Sequence, residues 1–231
     1  YQSATGALTW EAGSDRVGAP GFYGTRGVPD VANEPPARND AMAWVDGSGR
    51  LWLFGGVGTD GVTTYLLNDL WMYDPASARW PWVHGSAGRD APPAYGTLGV
   101  AAPQVTPGAR DSSAAGVDAA GNFWMFGGGG LSAAGAGPLD DVWRFDPAQR
   151  LWTWMGGSTA DGVAPVHGTR GVAAPGNTPG GRTAALAWQD GADRLWIFGG
   201  HVRDTDGVEK RMSDLWRYDL GARMWTWVAG P

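Results

Sequence analysis

No cysteine occurs anywhere in the 231 residues. That excludes disulfides, zinc–thiolate sites and cysteine nucleophiles, and it leaves the redox compartment open. Lysine is nearly missing as well, with Lys210 the only one. At a formal charge of −6 and a pI near 4.9 there is no basic surface to neutralise phosphates, so nucleic acid is not an expected partner. No apolar run approaches the roughly 18 residues of a membrane-spanning helix, so no membrane insertion is expected. Nothing resembles a signal peptide, and a chain that opens on Tyr1 reads as a processed or excised piece. The plentiful residues are 39 Gly, 16 Pro and 15 Trp, a composition that favours many short strands joined by turns over helices.

One phrase is written three times: "RLWLFGG" at 50–56, "NFWMFGG" at 122–128 and "RLWIFGG" at 194–200. The glycine pairs Gly55-Gly56, Gly127-Gly128 and Gly199-Gly200 stand 72 residues apart, as do Arg38, Arg110 and Arg182, and Asp46, Asp118 and Asp190. A period this long means one supersecondary unit per copy, stacked on its neighbours. Each unit divides into four strands. Strand a is rich in small residues ("AMAWV", "SAAGV", "AALAW"), and strand b is apolar without alternation ("LWLF"), as befits a strand covered on both faces. Strand c ("DLWMYDP", "DVWRFDP", "DLWRYDL") runs mostly into Asp-Pro turn chemistry, and strand d ("WPW", "WTW", "WTW") tolerates Pro81 and so belongs at an edge. Four antiparallel strands, small inside and proline-tolerant outside, describe a blade of an all-β propeller. The glycine pairs then end strand b at a sharp turn or a close approach to the neighbouring unit, rather than cradling a phosphate, since no helix follows them.

The Arg before strand a, the b strand closing in Gly-Gly and the spaced aromatics of "WMYDP…W" resemble the kelch repeat. The linkers "AYGTLGVAAPQVTPGAR" and "VHGTRGVAAPGNTPGGR" look like those of long-blade kelch arrays in secreted or surface bacterial proteins. The resemblance implies a β-propeller that binds other molecules, and a secreted or cell-surface setting. The kelch-type enzyme galactose oxidase uses a copper site with a Tyr–Cys cross-link; without cysteine that site cannot be built here.

The expected layout is residues 1–37 as an outer strand d of a preceding blade plus linker, then blades at 38–109, 110–181 and 182–231. Three full blades do not comfortably close a ring, since propellers use four to eight. Two copies would supply six, so the expected partner is the chain itself or other propeller blades.

The a–b and c–d turns are short, and the b–c and d–a connections are long and share one face, where binding residues are expected. Its candidates are Tyr23, Arg26, Tyr65, Tyr95, His167, Arg170, His201, Arg203, Asp204 and Asp206. The charged stretch 201–211 lacks the ligand count of a dedicated calcium site, so no metal and no cofactor is expected. All 15 Trp fall on recurrent positions and are expected to pack. Recurrent Asp at strand ends is expected to satisfy backbone donors, and the three histidines occupy three different positions of the unit. The resulting expectation is a non-enzymatic binding or self-assembly module. A glycan-binding protein, a hydrolase or lyase with converging loop carboxylates, and a fragment without independent function are the rivals.

Overall fold

The computed structural model describes residue 6, residues 8–203 and residues 207–231, and these form strands, turns and irregular segments without a helix. The first unit carries β1 (Arg38–Asn39), β2 (Met42–Val45), β3 (Leu51–Phe54), β4 (Val57–Thr59), β5 (Thr64–Leu66), β6 (Leu70–Tyr73) and β7 (Trp82–His84). The second carries β8 (Arg110–Asp111), β9 (Ala114–Val117), β10 (Phe123–Leu131), β11 (Ala136–Asp146) and β12 (Leu151–Gly156). The third carries β13 (Arg182–Thr183), β14 (Leu186–Asp190), β15 (Arg194–Phe198), β16 (His201–Arg203), β17 (Glu209–Arg211), β18 (Leu215–Asp219) and β19 (Met224–Ala229).

These strands form five antiparallel sheets. Two are four-stranded, in the order β2-β3-β6-β7 and β14-β15-β18-β19. The middle unit has the same a-b-c-d order, with β9 on β10, β10 on β11 and β11 on β12. The turn from β2 to β3 is fixed by Asp46, whose carboxylate accepts the backbone N–H of Ser48 and Arg50 and the indole N–H of Trp52. Asp118 and Asp190 do the same for Trp124 and Trp196. One side chain thus closes a turn and orients a tryptophan.

The glycine pairs end strand b in the first and third units, at Phe54 and Phe198, and bend it in the second, where β10 contains Gly127-Gly128. Gly55 and Gly56 have φ of 64° and 97°, and Gly127 and Gly128 have 65° and 97°. In the second unit β10 runs straight through, with a register shift against β11 between Phe126 and Gly128. A glycine-borne bulge re-aims a strand without stopping its ladder. Beyond it, the expected long b–c loop is a paired ribbon: β4–β5 joined by β1, the far half of β10–β11 joined by β8, and β16–β17 joined by β13. The glycines also admit a close approach, since a Cβ on Gly55 would lie 2.6 Å from the Arg110 carbonyl oxygen and one on Gly127 would lie 2.8 Å from that of Arg182.

The sheets stack face to face. Met42, Trp44, Trp52 and Phe54 of the first sheet bury against Phe123, Met125, Phe145 and Trp152 of the second. Trp124, Phe126 and Val142 on the second sheet's other face bury against Leu195, Ile197, Trp216, Tyr218 and Trp225 of the third. Within these layers the aromatic rings meet in tilted, edge-on and stacked pairs, such as Trp44 over Phe123 at 5.2 Å and Phe126 against Trp225 at 4.9 Å. Two tryptophans depart from the expected packing: Trp10 is 68% exposed and Trp188 is 45% exposed. The described part of residues 1–14 forms no strand. Trp10 Nε1 nevertheless donates to the Ala12 carbonyl oxygen as Trp82 Nε1 does to that of His84.

Candidate functional site

The recurrent charged residues assemble into one buried motif, built three times. Arg38 donates to both carboxylate oxygens of Asp69 at 2.7 and 2.8 Å and to the Gly55 carbonyl oxygen at 2.9 Å. Arg110 makes the same fork to Asp141 and reaches Gly127, and Arg182 makes it to Asp214 and reaches Gly199. Arg182 also donates to the Pro179 carbonyl oxygen. Each carboxylate further accepts an indole N–H, from Trp71, Trp143 or Trp216. Asp69, Asp141 and Asp214 are therefore not turn acceptors, as the spacing alone led one to expect. They are the centres of ion pairs that tie the base of each ribbon to strand c.

Three of the candidate binding residues cap this motif. Tyr23 Oη donates to Asp69 at 2.6 Å, and Tyr95 Oη donates to Asp141 at 3.0 Å. Burial, then the adjacent carboxylate, pushes both phenols well above their usual range. His167 takes the equivalent place against Asp214, with Nε2 at 3.5 Å and its ring between Trp216 and Trp227. For Asp214, burial alone would raise the carboxyl, but the Arg182 guanidinium and the Trp216 indole outweigh it and hold the pKa below its usual value. The hydroxyls of Tyr23 and Tyr95 point inward and are occupied.

Arg26 and Arg170 lie on the outer strands. Arg26 stacks 4.6 Å over Trp82 and donates to the Gly85 carbonyl oxygen; Arg170 sits 5.8 Å over Trp227 and donates to that of Val228. The d–a linkers follow the same path, with Gly27, Gly99 and Gly171 donating backbone bonds to the carbonyl oxygens of Trp82, Trp154 and Trp227. Tyr65 stands on the first ribbon under Arg89, whose guanidinium lies 4.1 Å from the ring and pairs with Asp60 at 2.7 Å.

The two remaining described candidates converge. His201 and Arg203 on β16 line a cleft of about 300 Å³ where the three ribbons meet. Its walls are Leu66 from β5, Pro138 and the small residues Gly129, Gly130, Ala136 and Gly137 from β10–β11, and Thr183 and Val202 from the third unit. Glu209 faces His201 across the third ribbon, 3.4 Å from Nδ1. The cleft exists because the second ribbon is stripped of bulk: Gly129 stands at the position of Val57 and His201, and Gly137 at that of Tyr65. The rim is polar and mixed in charge, and the floor is backbone and aliphatic. Asp204 and Asp206 lie outside the described residues. Among those described, no cluster of three or more His, Asp or Glu residues is arranged to hold a metal ion.

Sequence reasoning placed Glu209 in the charged stretch 201–211 but missed Thr183 and the glycine floor. The readable signal was "GGGG" at 127–130, twice the length of the glycine pair elsewhere.

No protein-family profile matches the chain, and no curated protein sequence does. Solved structures do, with 127 chains similar in fold. One, described as "Structure of YjhT", is 18% identical with a TM-score of 0.56, the match covering 86% of this chain and 54% of that one. The chain thus spans about half the length of that structure, and the likeness is one of all-β fold.

Proposed function

We propose that the chain is a non-enzymatic, kelch-type β-propeller module that binds a protein partner through the cleft between its ribbons. The observation that carries this is a division of labour. The recurrent Arg38, Arg110 and Arg182 and Asp69, Asp141 and Asp214 are consumed in the buried Arg–Asp–Trp motif, and the recurrent Asp46, Asp118 and Asp190 in the a–b turns. The residues that differ between units, Gly129, Gly137, His201, Arg203 and Glu209, gather around an open cleft. Recurrence marks what holds the sheets together; divergence marks what a ligand would read. An apolar floor with Arg203 and His201 at the rim suits a protein loop presenting an apolar side chain beside an acidic one. Three units with one strand order, stacked through aromatic faces, support the propeller reading, and the spaced Arg, Gly-Gly and Trp residues support the kelch one. The secreted or cell-surface bacterial setting rests on the kelch resemblance of the linkers.

Panning a random peptide display library on the immobilised chain tests the reading. Enriched peptides lose at least tenfold in affinity on Arg203→Glu, which reverses the rim charge, and on Ala136→Trp, which fills the cleft. Peptides indifferent to both substitutions, or a glycan array that gives the only reproducible hits, would sink it.

A further inference from the structure

The stack of three sheets ends in two unlike faces, and each is the missing half of a contact the chain already makes twice. Phe54 of the first sheet packs on Trp152 of the second at 5.1 Å, and Phe126 of the second packs on Trp225 of the third at 4.9 Å. The next members of those two series are Phe198, 41% exposed on the third sheet, and Trp80, half-buried on the far side of the first. Trp80 and Leu53 border an open hollow of about 220 Å³ between the first sheet and the chain around Ala12–Arg16 and Glu34–Ala37. A second series agrees. Trp44 lies flat over Phe123, with 7° between the rings; its counterpart Trp188 is 45% exposed, and the counterpart of Phe123, Leu51, is 42% exposed. A third series runs through the main chain, where Ser112 N–H donates to the Asp40 carbonyl oxygen and Ala184 N–H to that of Ser112. Asp40, Ser112 and Ala184 share the same left-handed φ of 55°, 51° and 53°, so the ladder is set to continue from Ala184 to another Asp40.

We infer that two copies of this chain join head to tail: the third sheet of each docks on the first sheet of the other. Phe198 enters the hollow at Trp80 of the second copy, and Trp188 covers Leu51 of the second copy. Leu186, 67% exposed, is buried in the same layer, as its counterparts Met42 and Ala114 already are. The two contacts are identical by the two-fold axis and leave no face open. This is how a heterologous interface closes rather than growing into a filament. Closure into a ring of six sheets rests on the propeller reading above, whereas binding at the ribbon cleft is independent of it. A chain that stays monomeric and still binds at the cleft would sink the assembly alone.

The test is the solution mass by light scattering across a hundredfold range of concentration. The chain weighs 24.2 kDa, and the wild type is expected at twice that. Trp188→Glu and Leu51→Glu, both at exposed positions, are each expected to halve the mass without changing the circular dichroism. Mixed in equal amounts at high concentration they regain the doubled mass, because each supplies the face that the other has lost. Three results would each overturn the inference. They are a wild type at 24.2 kDa throughout, which assigns the faces to sheets of another polypeptide; a Leu51→Glu protein that keeps the doubled mass, which means pairing of like ends; and a mixture that stays at the single-chain mass.

Discussion

At the scale of single residues, three arginines stand out as buried charges, each paired with a buried aspartate. Arg110 and Asp141 have fully buried side chains 2.6 Å apart. Such a pair adds little net stability over a packed apolar pair, but removing one partner strands a buried charge. Asp141→Asn or Arg110→Met is expected to cost about 3–5 kcal/mol in urea unfolding. Arg110→Lys is expected to recover little, because a single ammonium replaces the two-pronged fork and the bond to the Gly127 carbonyl oxygen. An Asp141→Asn protein within 1 kcal/mol of wild type would show that the motif carries no weight.

His84 makes a second residue-scale prediction. It is 6% exposed, and its Nδ1 accepts the Gly85 N–H, so the ring is held neutral. Burial, reinforced by the positive charge of Arg26, lowers its pKa from 6.5 to about 4. The unfolded chain therefore binds a proton that the folded chain refuses between those two values. Stability from this residue is fully present above pH 6.5 and is lost as the pH falls toward 4, by about 3 kcal/mol. Urea midpoints measured across that window should slope for the wild type and flatten for His84→Ala. An equal slope in both would assign the pH dependence elsewhere.

At the scale of elements, the glycine pairs set the turn from strand b into the ribbon and admit the close approach of the neighbouring unit. Gly127→Ala must fit a Cβ at 2.7 Å from the Leu139 carbonyl oxygen and 2.8 Å from that of Arg182, at φ +65°. A loss of about 2–4 kcal/mol is expected, against about 1 kcal/mol for Gly61→Ala, which has a positive φ but open space around it. Equal losses from thermal melts of the two variants would mean that the close approach between units is not what the glycine serves.

The four strands of each unit were legible because Trp, Asp and Gly recur in register. The ribbons were not legible. "VGTDGVTTYL" carries a turn signal, and its paired segments are only three residues long. Their ladder is completed by Arg38–Asn39, a two-residue strand in a stretch read only as the start of the blade ahead of strand a. The pairing of Arg38 with Asp69 was hidden for a similar reason. Each series was visible alone, but 31 residues separate the partners, and only the bend at Gly55-Gly56 brings them together. Tyr23, Tyr95 and His167 were correctly seen to share one position, yet nothing in the spacing shows that the position faces a buried carboxylate.

At the scale of the whole molecule, the chain is a stack of three sheets whose facing surfaces are buried against one another. The proposed head-to-tail pairing would make folding and association one equilibrium, so the apparent Tm is expected to rise by about 2–4 °C for each tenfold increase in concentration. Calorimetry over two decades of dilution checks this, and a Tm independent of concentration would contradict it. The proposed pairing would bury Trp188 and Leu186, which stand exposed where their counterparts Trp44 and Met42 are buried.

The proposed recognition belongs to the surfaces where the units differ, above all the cleft between the ribbons. Hydrogen–deuterium exchange of the chain with and without a panned peptide tests it most directly. Protection confined to residues 129–138, 201–203 and 209–211 is the predicted result. Protection on the outer strands around Trp82 and Trp227 instead, with the ribbons unchanged, would contradict it.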